Sequence, residues 1–223
     1  MRITLFILLF FSTLQSALGQ DSLQTKKEKE LLTGLGSGFY QGDLETGLSN
    51  GQLLLTLGIK LNKNKRLNSN ILLNFGMLQG NQLDYSFDDG SGTPTTPNES
   101  FNTDYFSINY ELHFNIIHRE RFQVYFSQGI GIMRFTPKDE EGNSLIDQPV
   151  SRPIGEDYRN LTIMLPSQIG LCYYLANDFG IGLQAGYFNT LTDYLDNLSS
   201  WGEKTGNDNV LFYRLNLNIP IRF

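Results

Sequence analysis

VLFYRLNLNIPIRF, which spans Val210 to Phe223, is the stretch of sequence that decides the fold. Its odd-numbered positions from 211 to 223 are all apolar, whereas its even-numbered positions include the polar residues Arg214, Asn216, Asn218 and Arg222. Successive side chains of a strand point to opposite faces, so this period of two predicts a strand with one apolar and one polar face. A tilted strand needs roughly 9–11 residues to cross a bilayer. The alternation therefore favours a membrane-spanning strand with its apolar face in lipid.

Seven earlier segments repeat the alternation, at residues 31–40, 52–62, 69–79, 101–116, 122–135, 159–175 and 179–189. The connections NKNKRLN, HRER and AND at one end are short, whereas three of the four at the other end are long. Outer-membrane barrels combine short periplasmic turns with longer extracellular loops. The sequence therefore predicts an all-β fold, an eight-stranded antiparallel transmembrane β-barrel. A soluble barrel or sandwich with apolar faces turned inward is the alternative; strand length, the amino-terminal segment and the terminal aromatic residue favour the membrane barrel.

The amino-terminal segment predicts export from the cytoplasm. Arg2 precedes an apolar run from Ile3 to Phe11, and Ala17 and Gly19 form a small-x-small cleavage site. This run is shorter than the roughly 20 residues of a spanning helix, so residues 1–19 are predicted to be a cleaved signal peptide. Residues 20–30 are predicted to form a flexible periplasmic tail and residues 31–223 the outer-membrane barrel.

Composition narrows the possible functions. The chain has a net charge of -6, and nucleic-acid binding requires clustered lysine and arginine, so no nucleic-acid partner is expected. Cys172 is the only cysteine, so no intramolecular disulfide can form. No cofactor is expected.

Several phrases resemble a known family. These are GSGFYQGDL at residues 36–44, FQVYFSQGIGIMRFTPKDEEG at 122–142, LPSQIGLCYYL at 165–175 and FGIGLQAGYFNTLTDYLDNLSS at 179–200, of which TDYLDNLS is the most specific. They resemble a Bacteroidota family of small outer-membrane barrels that includes the PorG component of the type IX secretion system. The resemblance implies an outer-membrane barrel, and for PorG-like members it implies association with a periplasmic ring lipoprotein. The Thr- and Pro-rich segment of residues 80–100 has no counterpart in that family.

The polar faces of the strands predict a filled lumen, because an eight-stranded barrel is just wide enough for its own side chains. The expected interior polar network includes Lys60, Glu111, His113, Gln184 and Arg214. Since burying an unpaired charge costs several kcal/mol, Glu111 is expected to pair with Arg214 or Lys60. A proton or ion path through these residues is the alternative interpretation.

A lipid-modifying barrel enzyme is a second alternative. Such an enzyme needs a nucleophile with a histidine beside it on the outer face or at the rim. The only histidines are His113, which is expected to point inward, and His118, which is expected in a periplasmic turn. No catalytic residues are therefore assigned.

The last extracellular loop carries a cluster of acidic and aromatic residues. Asp193, Asp196 and Asn197 could ligate a hard cation through oxygen, as could Asp88 and Asp89, but acids and amides also cluster in loops to form Asx turns. The spacing matches no known calcium loop, so no metal site is assigned. Asp193, Tyr194, Asp196 and Trp201 instead predict an interaction motif, on either a structured lid, of which a helix is one form, or a partner-binding face.

Both ends of the barrel suggest partners. Positive charge is concentrated in the tail and the periplasmic turns, which favours contact with an acidic periplasmic partner or with lipid head groups. The terminal residues Ile219, Ile221 and Phe223 resemble the signal that the outer-membrane barrel assembly machinery recognises. A standalone structural or adhesive barrel in outer-membrane lipid, without a secretion role, remains the alternative to a PorG-like component.

Overall fold

A computed structural model describes residues 28–44, 47–63, 65–81, 100–147, 159–198 and 206–221. The predicted signal peptide, most of the predicted tail, Asp88, Asp89, Trp201 and Phe223 lie outside these residues. No helix in the described part of the chain is long and apolar enough to span a membrane. The described helices are two 3-10 turns, at Gly47–Ser49 and Leu145–Asp147.

Eight antiparallel strands close into a barrel, because each strand pairs with its neighbours in sequence and β1 also pairs with β8. This confirms the predicted fold class. The strands are β1 (Lys29–Gln41), β2 (Gln52–Lys60), β3 (Leu67–Asn81), β4 (Ser100–His118), β5 (Phe122–Lys138), β6 (Leu161–Tyr174), β7 (Gly180–Thr190) and β8 (Asn209–Ile221).

The connections differ at the two ends as predicted. The strand bounds leave three, five and six residues between successive strands at one end, and 10 to 22 residues between them at the other. The strands themselves depart from the predicted boundaries by up to three residues. The difference that matters for the lumen is at the start of the barrel. There β1 begins at Lys29, so Lys29 and Glu30 belong to the barrel and not to the predicted tail.

The outer surface of the barrel is apolar. In β8 the outward residues Tyr213, Leu215 and Leu217 are exposed, and Leu215 reaches 62%. The same alternation of exposed and buried side chains runs along β4 and β6. A continuous exposed apolar band suits lipid and not water.

The lumen is filled with side chains and divides into two zones. Towards the long connections it is apolar and aromatic; this outer core comprises Tyr40, Leu44, Leu54, Leu78, Phe101, Tyr105, Met133, Phe135, Leu145, Met164, Phe188, Leu195, Leu198, Val210 and Phe212. Towards the short turns it is polar. The division places Arg214 and Glu111 in the middle of the lumen and Glu30 with Lys60 at the end with the short turns.

Two of the glycines in the strands make room for large side chains of the lumen. A Cβ at Gly36 would lie 2.6 Å from Cα and Cβ of Arg214 on the neighbouring strand, and a Cβ at Gly170 would collide with the ring of Tyr125. Glycine at these positions makes room for the arginine and the tyrosine.

Candidate functional site

Arg214 is the centre of the polar network in the lumen. It is 1% exposed. Its Nε donates to Gln184 Oε1 at 2.5 Å, and its Nη1 donates to Thr56 Oγ1 at 2.9 Å and to Asn74 Oδ1 at 3.0 Å. Its Nη2 donates to Gln168 Oε1 at 3.0 Å. Thr56 is on β2, Asn74 on β3, Gln168 on β6 and Gln184 on β7, so this one guanidinium ties four other strands to β8 across the lumen.

Glu111 is fully buried and accepts hydrogen bonds from four side chains. Ser127 Oγ donates at 3.1 Å, Asn109 Nδ2 at 3.3 Å, and Gln168 Nε2 also donates. His113 Nε2 lies 3.3 Å from Glu111 Oε2. The His113 ring stacks on Tyr125, with ring centroids 4.6 Å apart.

The expected direct pairing of Glu111 with Arg214 or Lys60 is wrong. Gln168 stands between the two charges, since its amide nitrogen donates to Glu111 and its amide oxygen accepts from Arg214. The amide thus connects the carboxylate and the guanidinium without an ion pair, and each charge has hydrogen-bond partners as burial requires.

Lys60 instead belongs to a second cluster, at the periplasmic end of the lumen. Its Nζ lies 3.7 Å from Glu30 Oε2, and Lys63 Nζ lies 3.2 Å from Glu30 Oε1. Tyr174 Oη and Asn218 Nδ2 donate to Glu30 Oε2 at 3.1 and 2.9 Å. One fully buried carboxylate therefore holds two lysines, and it closes the lumen on this side.

The last extracellular connection closes the other side. Leu195 and Leu198 are fully buried and pack within the outer core, and Thr103 Oγ1 donates to the backbone oxygen of Leu195 at 2.5 Å. Residues 191–198, the described part of the predicted lid, contain no helix. The segment is held by its apolar side chains and by hydrogen bonds to the strands.

A buried tyrosine and two buried aspartates fasten this segment. Tyr40 Oη lies 2.7 Å from Asp196 Oδ2 and 2.7 Å from Asp208 Oδ1, and it accepts the backbone N–H of Asp43 at 2.9 Å. A phenol has one proton and donates to one carboxylate. The contact with the other carboxylate then requires a proton on that acid, so the two aspartates and Tyr40 share protons.

The second oxygen of each carboxylate holds the backbone of the same segment. Asp208 Oδ2 accepts the N–H of Leu195 at 2.8 Å, and Asp196 Oδ1 accepts the N–H of Leu198 at 2.9 Å. Burial raises the pKa of Asp196 to about 7, and burial together with the charge of Asp196 raises the pKa of Asp208 well above its usual range. We call Tyr40, Asp196 and Asp208 the mouth clasp.

The structure separates the members of the predicted interaction motif. Asp196 has no exposed surface and is engaged in the mouth clasp, so it cannot contact a partner in this arrangement. Tyr194 is partly buried against the outer core, and Asp193 is partly exposed. No group of three or more His, Cys, Asp or Glu side chains is arranged to hold a metal ion within the described ranges.

A polar group also lies on the lipid-facing surface, which the sequence analysis did not single out. Ser167 Oγ donates to Gln128 Oε1 at 2.7 Å, and Asn189 Nδ2 lies 3.3 Å from Ser167 Oγ. Gln128 Nε2 donates to the backbone oxygen of Pro166 at 3.0 Å, where the pairing of β5 with β6 is interrupted. The glutamine thus supplies a donor to the carbonyl of Pro166 beside lipid, where no water is present to do so. His113 is buried in the lumen and His118 ends β4 at the periplasmic side, so neither is beside Ser167.

Sequence reasoning missed Glu30, Tyr40 and Asp208. Glu30 stands in a run of lysine and glutamate, which hides its place in the alternation. Tyr40 and Asp208 are 168 residues apart, and only the closure of β1 on β8 brings them together. The one sequence signal for this cluster was the position of Asp208, an acid directly before the last strand.

The comparisons with known proteins agree with this architecture. No protein-family model and no curated protein matches the sequence. Solved structures do match: Ail, the attachment invasion locus protein of Yersinia pestis, in complex with a heparin analogue, has a TM-score of 0.52 at 13% identity, covering 88% of this chain and 100% of that chain. Neisserial surface protein A has a TM-score of 0.50 at 10% identity, covering 86% of this chain and 96% of that chain.

At these identities the similarity extends to the fold alone. The structural neighbours are outer-membrane barrels with eight strands, and the closed eight-stranded sheet of this chain matches them. The chain therefore has the fold of an eight-stranded outer-membrane β-barrel.

Proposed function

We propose that this protein is a non-enzymatic outer-membrane barrel that acts through its surfaces, as a PorG-like membrane component of the type IX secretion machinery that contacts a periplasmic complex. The observation that carries the proposal is the filled lumen. Arg214 and Glu111 occupy its middle, Glu30 its periplasmic end and the mouth clasp its outer end. A barrel without an open path acts by what it binds at its rims.

The periplasmic rim offers positive charge to such a partner. Arg66, Arg119 and Arg121 are exposed there, together with the acid Glu120. Arg66 packs its guanidinium 5.1 Å from the ring centroid of Phe114. Exposed arginines suit an acidic protein surface, because the planar guanidinium binds carboxylates in a bidentate manner. The partner implied by the family resemblance is the periplasmic ring lipoprotein.

The test is co-purification from detergent-solubilised membranes of the native organism. The tagged wild type is expected to recover periplasmic ring components, and Arg119→Glu with Arg121→Glu is expected to reduce their recovery at least about tenfold, since like charges repel at an interface. Arg159→Glu, a single charge reversal on the opposite rim, is the control and is expected to retain them. If the wild type recovers no periplasmic protein, the secretion role is wrong.

The second candidate is a standalone structural or adhesive barrel. Its supporting observation is that all four longer connections lie at one end, where they would face the cell exterior. Normal secretion in a deletion strain, with loss of attachment to surfaces or hosts, would favour this candidate over the first.

The proposal that the protein is not an enzyme is supported by the surroundings of Ser167, the lipid-facing serine that a lipid-modifying enzyme would use as its nucleophile. Its described polar neighbours are Gln128 and Asn189, and neither is a general base of the histidine type. Mass spectra of membrane lipids are expected to be the same with the wild type, with Ser167→Ala and without the protein. A lipid product that requires Ser167 would contradict this.

A further inference from the structure

The outward-facing charges of the described strands are unevenly distributed. At the end with the long connections they are Asp104 on β4 and Arg134 and Lys138 on β5, and at the periplasmic end there is Lys29 on β1. Charge in the outer half of the lipid-facing surface is thus confined to one sector. Such residues are costly next to hydrocarbon, so their position there requires water or partners of opposite charge.

Arg134 lies at the outer edge of the apolar band. Its register partners are Phe106 on β4 and Leu161 on β6, and both are exposed apolar side chains. Ile132, two residues nearer the middle of β5, is also exposed and apolar. The Arg134 guanidinium therefore projects at the level where hydrocarbon gives way to lipid head groups.

Arg159 stands beside it. The N–H of Phe135 donates to the backbone oxygen of Asn160 at 3.1 Å, which continues the pairing of β5 with the chain before β6. By this register Arg159 lies next to Thr136, two residue pairs nearer the long connections than Arg134, and it is exposed. Two arginines on adjacent segments flank one strip of the surface.

Neither arginine forms an ion pair with a described carboxylate, whereas the neighbouring Lys138 does. Lys138 Nζ lies 2.5 Å from Asp104 Oδ2, so its charge is already balanced. The two guanidiniums are left with ten N–H donors at the edge of the hydrocarbon, five on each.

We propose that Arg134 and Arg159 bind the phosphate group of an outer-leaflet lipid. Guanidinium groups bind phosphate oxygens in a bidentate manner. A lipid phosphate arrives in the membrane plane, where Phe106 and Leu161 contact its acyl chains. A soluble anion instead approaches from the aqueous side, where Glu140 and Glu141 lie exposed in the connection that follows β5 and add negative charge. A phosphorylated glycolipid therefore fits this strip better than free phosphate.

The experiment measures binding of diphosphoryl lipid A and of the same lipid without phosphates to the full chain, folded in a detergent that has no phosphate group. The wild type is expected to prefer the phosphorylated lipid. Arg134→Gln with Arg159→Gln is expected to lower the affinity for it at least about tenfold, with little change for the dephosphorylated lipid. Arg134→Lys with Arg159→Lys keeps the charge but loses the bidentate guanidinium geometry. Its affinity for the phosphorylated lipid is expected to lie between those of the wild type and the glutamine variant.

Arg119→Gln with Arg121→Gln removes the same charge at the periplasmic rim and is expected to bind like the wild type. Heat-dependent mobility on a gel verifies that each variant is folded. Three results would overturn the proposal: equal binding of both lipids by the wild type, an equal loss in the periplasmic control, or displacement of the lipid by an equal concentration of inorganic phosphate.

Discussion

The hydroxyl of Tyr40 lies 2.7 Å from Oδ1 of Asp208, although 168 residues separate them in sequence. The contact joins the extracellular end of β1 to the residue before β8, at the seam where the barrel closes. Through Asp196 the same hydroxyl also holds the segment that fills the barrel mouth. The seam and the mouth are therefore stabilised by one side chain.

Replacing Tyr40 with phenylalanine tests the mouth clasp. Tyr40→Phe leaves the ring in place and removes the shared hydroxyl, so two buried carboxyl groups lose a partner. The expected loss of stability is about 1–3 kcal/mol in denaturant unfolding of the detergent-folded barrel. Tyr110→Phe, on the exposed outer surface, is the control and is expected to change stability by less than about 0.5 kcal/mol. Equal stability of Tyr40→Phe and the wild type would show that the clasp contributes nothing.

Docking of residues 191–198 is expected to weaken as the pH rises. The pKa of Asp196 is raised to about 7 in the docked state and that of Asp208 is raised as well, so the docked state holds protons that an undocked state releases. The stabilisation is complete below the ordinary aspartate pKa of about 4 and is lost as the pH rises through about 7. Asp43 and Asp193 add negative charge nearby and act in the same direction.

Hydrogen exchange at the Leu195 and Leu198 amides, corrected for the intrinsic effect of pH, measures this. Asp208→Asn mimics the protonated acid and is expected to flatten the pH dependence while the segment stays docked. Asp139→Asn, in another extracellular connection, is expected to leave it unchanged. Protection of the two amides that rises between pH 5 and pH 9 would contradict the prediction.

Arg214→Met is expected to destabilise the barrel by about 3–5 kcal/mol, because it removes the guanidinium that Gln184, Thr56 and Gln168 bind and leaves Glu111 as an uncompensated buried charge. Denaturant unfolding measures the loss. Adding Glu111→Gln to Arg214→Met is expected to restore part of the stability, since the buried charge is then removed. A double variant whose losses simply add would show that Gln168 does not couple the two groups.

Alternation alone was enough to assign which strand residues face lipid and which face the lumen. Leu215 and Arg214 point in opposite directions as expected, and the five residues of the predicted interior network are all buried. A period of two carries this information directly, because one face must meet lipid. The strand ends were less certain, since outside the hydrocarbon the backbone pairing continues without apolar residues.

The partners inside the lumen could not be predicted in the same way. Which inward residues meet depends on how far each strand is shifted against the next, and alternation is blind to a shift by two residues. For this reason Gln168 was not expected between Glu111 and Arg214, and Lys60 was not expected beside Glu30. The packing of Leu195 and Leu198 was hidden because their spacing of three also suits a helix.

Conductance in planar bilayers tests the central claim, that the lumen is filled and the protein acts through its rims. The wild type, inserted at neutral pH, is expected to give no stable current steps above the bare bilayer, and so is Tyr40→Phe, because the network around Arg214 and Glu111 still fills the middle. Large, long-lived conductance steps from the folded wild-type barrel would contradict the claim and restore the lumen as an ion path.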